Sequence, residues 1–149
     1  MGEPPCDQDG VVTPHDDYDL IPDDALLVRY VQKMHLAPQD DGRQRLSSGA
    51  FSATSKDRDR YRGMSVDIYS LLLRDGKKIA ARMPPGHEGA ILLGAGCLRQ
   101  LGLKIGPDPM DAADPYHACV WGVSRGLAKR IRKNCCDRWL IQPPNTAPI

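Results

Sequence analysis

The sequence predicts an α+β fold in which a small mixed or antiparallel sheet packs against a buried helix and a basic amphipathic helix near the C-terminus. Three observations support this prediction. Short segments with period-two alternation or β-branched residues recur along the chain. Residues 89–101 are apolar on nearly every side, as in a buried helix. Residues 124–134 are apolar on one side and cationic on the other.

The chain has the length of one domain and is rich in loop-forming residues. Its 149 residues include 13 Pro and 14 Gly, while hydrophobic residues make up 41% and charged residues 26%. A chain of this size can form one core without metal or disulfide support. We therefore expect an acidic arm over residues 1–20, a single α+β domain over 21–142 and a Pro-rich tail over 143–149. The arm has too few large apolar residues to offset the entropy of ordering, so we expect it to be disordered.

The first strand is predicted over residues 25–31, after a turn at residues 21–24. Its sequence, ALLVRYV, is rich in β-branched and aromatic residues. Alternation places Leu27, Arg29 and Val31 on one face and Leu26, Val28 and Tyr30 on the other. Arg29 is therefore expected among apolar neighbours.

The middle of the chain predicts a second strand and the central helix. Residues 46–53 suit a short strand or an irregular segment, and residues 56–62 suit a charged surface loop. Residues 64–73 predict a strand that runs into a helical turn. Residues 89–101, GAILLGAGCLRQL, predict a buried helix that Gly102 would end.

Two short strands and a helix are predicted in the last third of the chain. Residues 103–105 suit one strand, and residues 116–121 suit another, with His117, Cys119 and Trp121 on one side. Ser124 is placed to cap a helix that continues to Asn134. The inner side of this helix carries Val123, Leu127, Ala128 and Ile131.

Charge is unevenly distributed along a chain whose net charge is only +1. The first 24 residues contain no Lys or Arg and eight acids, namely Glu3, Asp7, Asp9, Asp16, Asp17, Asp19, Asp23 and Asp24. The predicted C-terminal helix carries cations on its outer face, namely Arg125, Lys129, Arg132 and Lys133. Such a strip could neutralise an acidic protein or nucleic-acid phosphates, although solvated cations are also usual on an exposed helix face. The two ends of the chain could also attract each other.

The cysteines predict reduced thiols. The five of them, Cys6, Cys97, Cys119, Cys135 and Cys136, are an odd number without a C-x-x-C pair. The adjacent Cys135 and Cys136 suit neither a mutual disulfide nor a zinc site. His117 and Cys119 share a predicted strand face, but metal sites usually use tighter ligand pairs, so we expect ordinary buried thiols and no metal.

The N-terminal sequence and the apolar runs bear on location. The first thirty residues lack a basic segment followed by an apolar one, and no apolar run reaches the about 18 residues of a membrane span. Together with the expected thiols, these features predict a cytoplasmic protein that does not contact a membrane.

One set of polar residues has the composition of a catalytic site. Ser65 and Asp67 are expected on one strand face and His117 on another strand, which supplies a hydroxyl, a carboxylate and an imidazole. No G-x-S-x-G sequence surrounds Ser65, and the chain contains neither a P-loop nor a G-x-G-x-x-G sequence. The alternative is that these polar residues hydrogen-bond the backbone or each other.

Arg29 on the first strand and the Ser-rich residues 47–52 distantly resemble the layout of ADP-ribosyltransferases. Those enzymes bind NAD with an early strand Arg or His and often use a catalytic Glu. The glutamates of this chain are Glu3, in the predicted arm, and Glu88, in a predicted loop. The resemblance therefore implies an NAD site without its usual glutamate.

A second resemblance covers most of residues 21–134. The residues that carry it are Ile21-Pro22-Asp23-Asp24, Leu27, Arg29, Ala50-Phe51, Ser65-Val66-Asp67, Asp108-Pro109, His117-Ala118 and Gly122. The pattern is similar to that of a loosely defined group of small uncharacterised bacterial proteins. The resemblance implies a bacterial origin and one compact domain, and it singles out Arg29, Ser65, Asp67 and His117 as polar positions. It implies no particular reaction.

These observations lead to three functional hypotheses. We expect a non-enzymatic accessory protein that binds a macromolecular partner as a subunit of a larger protein complex, without a cofactor. The first alternative is a small hydrolase or NAD-using enzyme that acts through Arg29, Ser65, Asp67 and His117. The second alternative is a nucleic-acid-binding protein that acts through residues 124–134.

Overall fold

The computed structural model describes residues 21–52, 63–107 and 114–149. The strands are β1 (Leu26–Gln32), β2 (Leu36–Pro38), β3 (Gln44–Leu46), β4 (Met64–Ile68), β5 (His87–Gly94), β6 (Lys104–Pro107), β7 (His117–Trp121) and β8 (Cys136–Ile141). The α-helices are α1 (Tyr69–Arg74), α2 (Ile79–Arg82), α3 (Ala95–Gln100) and α4 (Arg125–Asn134). Two short 3-10 turns, Lys33–His35 and Ser48–Ala50, flank the β2–β3 hairpin. The predicted arm, the charged loop at 56–62 and Asp108-Pro109 lie outside the described residues.

Six of the strands form one antiparallel sheet in the order β6-β7-β4-β1-β5-β8. Strands β2 and β3 pair separately as a second, two-stranded sheet. The predicted α+β class is confirmed, because helices pack against a large antiparallel sheet. In the described part of the chain, no helix combines the length and the apolar character of a membrane span.

The six-stranded sheet has two buried faces. On the first, which we call the α4 face, Leu27 and Val31 of β1 pack with Ala128 and Ile131 of α4 and with Leu98 of α3. The second, which we call the α1 face, is lined by Val28, Tyr30, Leu72, Ala90 and Leu92, the third of these from α1. The alternation predicted for β1 therefore matches the two cores.

The buried helix predicted over residues 89–101 is wrong in its first half. That half belongs to β5, which lies between β1 and β8, and α3 begins only at Ala95. The four residues Ala90, Ile91, Leu92 and Leu93 are fully buried because cores cover both faces of the sheet. A strand buried on both sides is apolar all round, so its pattern does not differ from that of a buried helix.

The remaining elements either agree with the prediction from the sequence or were not predicted. A strand running into a helix after residue 64, a strand ending at Trp121 and a helix ending at Asn134 are all present. The strand expected at residues 103–105 is β6, which begins one residue later and ends two residues later. Strand β8 and the β2–β3 hairpin had no clear sequence signal. In the Pro-rich tail, the amide of Ala147 donates to the carbonyl of Gln44 at 2.7 Å, so the tail contacts β3.

The cysteines differ from the prediction of reduced thiols. Cys97 on α3 and Cys135, the residue after α4, form a disulfide, and their Cα atoms lie 5.5 Å apart. Cys119 is buried in β7, and Cys136 is a half-buried thiol outside the disulfide. The two bonded cysteines are 38 residues apart in sequence and meet only because α3 and α4 cover the same face of the sheet.

Candidate functional site

Arg29 lies in the interior on the α4 face and is 6% exposed. Its guanidinium donates three hydrogen bonds to backbone carbonyls: from Nε to Ala50 at 2.8 Å, from Nη1 to Ser65 at 2.9 Å and from Nη2 to Ser52 at 2.9 Å. A planar guanidinium suits such divergent acceptors. Arg29 therefore holds the Ser48–Ala50 turn and the residues after it against β1 and β4.

Ser65, Asp67 and His117 belong to the α1 face. Asp67 stands opposite Val28 of β1 on one side and opposite His117 of β7 on the other, and Ser65 shares its face by alternation. The structure thus brings these three predicted residues onto one face. It places the side chain of Arg29 on the opposite face of the sheet, so the four do not converge in one pocket.

Both carboxylate oxygens of Asp67 already accept hydrogen bonds. Tyr30 Oη donates to Oδ2 at 2.6 Å, and Arg82 of α2 donates from Nε to Oδ2 at 2.9 Å and from Nη2 to Oδ1 at 3.0 Å. In a catalytic triad, the carboxylate orients the histidine. Here the carboxylate instead accepts from a tyrosine and an arginine.

Arg82 extends this arrangement to Asp114 and Tyr116, and we call the group of Tyr30, Asp67, Arg82, Asp114 and Tyr116 the Arg82 cluster. Arg82 Nη2 also donates to Asp114 Oδ2 at 2.8 Å, and the guanidinium lies 5.0 Å from the centre of the Tyr116 ring. The amide of Tyr116 donates to Asp114 Oδ1 at 3.1 Å. The cluster therefore fixes the short helix α2 to strands β1, β4 and β7.

The pKa values in the Arg82 cluster follow from these contacts. Burial, together with the hydrogen bond to Asp67, raises the pKa of the Tyr30 hydroxyl well above its usual range. The hydrogen bond to Asp67 is also the main reason why the pKa of Arg82 rises. Burial alone would raise the pKa of Asp114, but the hydrogen bonds from Arg82 and from the amide of Tyr116 lower it. Arg82 is therefore charged and the Tyr30 hydroxyl protonated at neutral pH.

The sequence does not indicate that Tyr30 and Arg82 are partners of Asp67, or that Asp114 is joined to Asp67 through Arg82. Their separations from Asp67 are 37, 15 and 47 residues, the last being 114 − 67, and no local motif links them. They meet because β4 lies between β1 and β7 in the sheet. The only available signal was a charged residue, Asp67, at a strand position flanked by apolar ones.

His35 forms a second, half-buried polar site in the turn after β1. Its Nδ1 accepts from the amide of Gln32 at 3.1 Å, and its carbonyl accepts from the amide of Ser47 at 2.8 Å. Burial, with the charges of Arg29 and His87, lowers the pKa of His35 from 6.5 to about 4. His35 is therefore a neutral hydrogen-bond acceptor at pH 7.

The outer side of α4 carries a strip of exposed cations. Ser124 Oγ caps the helix by accepting from the amide of Leu127 at 3.2 Å, while Ala128 and Ile131 are buried. We call the exposed cations Arg125, Lys129, Arg132 and Lys133 the basic face of α4. Among residues 21–52, 63–107 and 114–149, no ion pair involves any of these four. Arg130 is exposed on the same helix.

An exposed apolar residue lies on the same side of the protein. Met34 is 78% exposed, in the 3-10 turn that includes Lys33. That turn packs against the Ser48–Ala50 turn, which in turn packs against α4. The Ser48–Ala50 turn therefore connects the turn that carries Met34 to α4.

The cavity at the β2–β3 turn does not coincide with the Arg82 cluster or with the basic face of α4. A shallow depression of about 500 Å³ lies at the β2–β3 turn, lined by Pro38, Gln39, Asp40, Asp41 and Arg45, and it contains none of the predicted site residues. Within the described ranges, no three His, Cys, Asp or Glu side chains are grouped so that they could hold a metal ion.

Comparison with known proteins gives no family for this chain. No protein-family model, no curated protein and no solved structure matches it.

Proposed function

We propose that this protein is a small bacterial accessory protein that binds an acidic protein partner through the basic face of α4. The observation that carries the proposal is the set of four exposed cations, which have no counter-charge among the described residues. Unpaired surface cations attract an oppositely charged partner over roughly one Debye length, about 8–10 Å in physiological salt. Binding should therefore be sensitive to salt.

The helix that carries these cations is held firmly at both ends. Its first turn is capped by Ser124, its inner residues Ala128 and Ile131 lie in the core, and Cys135 at its end is tied to α3. The basic face runs from Arg125 to Lys133, which is about 12 Å along a helix that rises 1.5 Å per residue. A fixed strip loses little entropy when it meets a partner.

A protein partner is the first choice because of Met34. Interfaces between proteins are enriched in Met and Arg and usually place apolar groups beside charged ones. Met34 supplies an apolar contact on the same side of the protein as the basic face, and α4 carries no aromatic residue that could stack on bases. The second candidate is nucleic acid, which the linear spacing of the cations favours.

The test measures binding of two labelled probes by fluorescence anisotropy, a 20-residue polyglutamate peptide and a DNA duplex. We compare the wild type with Arg125→Ala/Lys129→Ala/Arg132→Ala and with Lys77→Ala/Lys78→Ala/Lys104→Ala, which removes three exposed cations elsewhere. The first variant should bind polyglutamate about tenfold more weakly, from three contacts of about 0.5–1 kcal/mol each, and the control within about twofold.

The outcomes separate the candidates. Salt-sensitive binding of polyglutamate that depends on α4 supports the proposed protein partner. Tighter binding of the duplex than of polyglutamate would instead support the nucleic-acid candidate. In that case the affinity for DNA should fall less steeply with salt in the α4 variant than in the wild type. If neither probe binds in low salt, the basic face has no such function.

We also propose that the protein acts in the cytoplasm, a location that the redox state of its cysteines can test. The Cys97–Cys135 disulfide bears on this point, because disulfides are rare where glutathione keeps thiols reduced. Blocking free thiols in intact cells before lysis reports the state of the pair. Alkylated Cys97 and Cys135 support the cytoplasm, whereas a fully oxidised pair indicates an oxidising compartment and overturns this location.

A further inference from the structure

We propose that the acidic residues 1–20 dock on the basic face of α4 in the same chain and compete there with the external partner. The inference rests on the proposed function of that face. The docking segment carries six acids, Glu3, Asp7, Asp9, Asp16, Asp17 and Asp19, and no Lys or Arg. Its charge is thus opposite to that of the four cations.

The described chain begins on the side of the sheet that α4 covers. Ile21 is 2% exposed and belongs to the same core cluster as Ala128 and Ile131 of α4. The first described residue therefore lies on the α4 face, not on the α1 face.

The next residues run along the start of α3. The amide of Gly96 donates to the carbonyl of Asp23 at 2.8 Å, and that of Ala95 donates to the carbonyl of Ala25 at 3.0 Å. Arg99 Nη1 donates to Asp23 Oδ1 at 2.9 Å. A Cβ atom at position 96 would lie 2.8 Å from the carbonyl oxygen of Asp23, so glycine is needed for this close approach.

The start of α3 is in turn joined to the end of α4. Cys97 follows Gly96 directly, and its disulfide partner Cys135 is the residue after α4, with 5.5 Å between the two Cα atoms. Asp23, two residues after the first described residue, therefore lies beside a helix start that the disulfide joins to the end of α4, where Arg132 and Lys133 are exposed.

Chain length permits the contact. Twenty residues span at most about 66 Å when fully extended, whereas the basic face is about 12 Å long. A tethered segment of this kind acts at an effective concentration in the millimolar range, so individually weak charge contacts suffice. The acidic segment would then lower the affinity of α4 for any other polyanion.

The experiment uses the full-length chain with its six arm acids neutralised, as Glu3→Gln and Asp→Asn at positions 7, 9, 16, 17 and 19. Neutralisation should tighten binding of the polyglutamate probe about tenfold in low salt, and the difference should vanish in high salt. A matched pair of double variants tests whether the location of the acids matters. Asp17→Asn/Asp19→Asn should tighten binding of polyglutamate, whereas Asp40→Asn/Glu88→Gln, which removes two exposed acids elsewhere, should not.

A second measurement detects the contact without any partner. Backbone amide NMR shifts are compared between the wild type and the six-site variant, and a synthetic peptide of residues 1–20 is added to the variant. Shift changes confined to residues 125–134 and to their surroundings, and loss of peptide binding in Arg125→Ala/Lys129→Ala/Arg132→Ala, are expected. Unchanged α4 amides, or peptide binding that survives this α4 substitution, would overturn the inference.

The two proposals can fail separately. If polyglutamate binds α4 but neutralising the arm changes neither affinity nor amide shifts, the docking inference is wrong and the proposed function stands. If the peptide binds α4 and neither polyglutamate nor DNA does so after neutralisation, the docking inference stands and the proposed function is wrong.

Discussion

Arg82 donates two hydrogen bonds to Asp67, from Nε at 2.9 Å and from Nη2 at 3.0 Å, and so joins helix α2 to the middle of the sheet. The side chain of Asp67 is 5% exposed and that of Arg82 is 23% exposed. Burying a carboxylate is costly unless its oxygens accept hydrogen bonds. Arg82 and Tyr30 meet that requirement together.

Replacing Arg82 by Ala should destabilise the fold by about 3 kcal/mol, because it leaves a buried carboxylate with Tyr30 as its remaining described side-chain donor. The free energy of unfolding is measured in urea. The matched control is Arg138→Ala, which removes an arginine from the exposed pair with Asp137 and should cost no more than about 0.5 kcal/mol. Equal losses in the two variants would show that the Arg82 cluster contributes little.

Replacing Arg29 by Lys should destabilise the fold by about 2–3 kcal/mol. The lysine ammonium cannot reach the carbonyls of Ala50, Ser52 and Ser65 together, as the guanidinium does. Hydrogen exchange at the amides of Ala50 and Phe51 should also accelerate, because the turn loses its attachment. Arg45→Lys, at an exposed position, is the control and should change neither quantity. Unchanged exchange in Arg29→Lys would contradict the role assigned to Arg29.

Breaking the Cys97–Cys135 disulfide should lower the free energy of unfolding by about 3–4 kcal/mol, from the chain entropy of a loop of 38 residues. The comparison is between the wild type with and without reductant and the Cys97→Ser/Cys135→Ser variant. Cys136→Ala leaves the disulfide intact and should keep its sensitivity to reductant. Should reductant leave the unfolding curve of the wild type unchanged, the disulfide does not contribute to stability.

The thiol of Cys136 should react slowly. Burial raises the pKa of this thiol to about 12, so only about one molecule in ten thousand carries the thiolate at pH 8. After reduction and denaturation, Cys97, Cys135 and Cys136 should all be alkylated at similar rates by iodoacetamide. In the folded protein, Cys136 should be alkylated at least about a hundredfold more slowly than when unfolded. Comparable rates in the two states would contradict its burial.

His35 should make stability depend on pH between about 4 and 6.5. Its pKa is about 4 in the folded protein and 6.5 in the unfolded chain, so the unfolded chain binds the proton more tightly. The stabilisation is fully present above pH 6.5 and is lost as the pH falls towards 4. Because His35 is only half-buried, we expect a loss of about 1–2 kcal/mol.

The non-titrating variant His35→Asn provides the comparison. An asparagine oxygen can replace Nδ1 as the acceptor for the amide of Gln32, but it does not bind a proton in this range. The free energy of unfolding is measured against pH for both proteins. Subtracting the values of the variant from those of the wild type removes the contribution of the carboxylates. A flat difference between pH 4 and 6.5 would show that the environment of His35 does not disfavour its charge.

Several elements were predictable because their local pattern is tied to one buried face. The alternation in β1 placed Leu27 and Val28 in different cores, and the amphipathic pattern with Ser124 at its start located α4. The residues of β5 carried no such information, since Ala90 to Leu93 are buried on both sides and their pattern fits a helix equally well. Alternation placed Ser65 and Asp67 on one strand face, but it indicated neither their hydrogen-bond partners nor the pairing of Asp67 with His117.

The sequence by itself determined which segments have one apolar side and where the charges fall: an acidic beginning, a basic helix and a carboxyl group, Asp67, inside a strand. Only the tertiary structure decided that Arg82 joins Asp67 to Asp114, that Arg29 holds the Ser48–Ala50 turn and that Cys97 bonds to Cys135. The physical reason is that these contacts join residues that are far apart in the sequence. Periodicity reports whether each residue is buried within its own element, whereas these contacts depend on strand order and register, which join residues far apart in the chain.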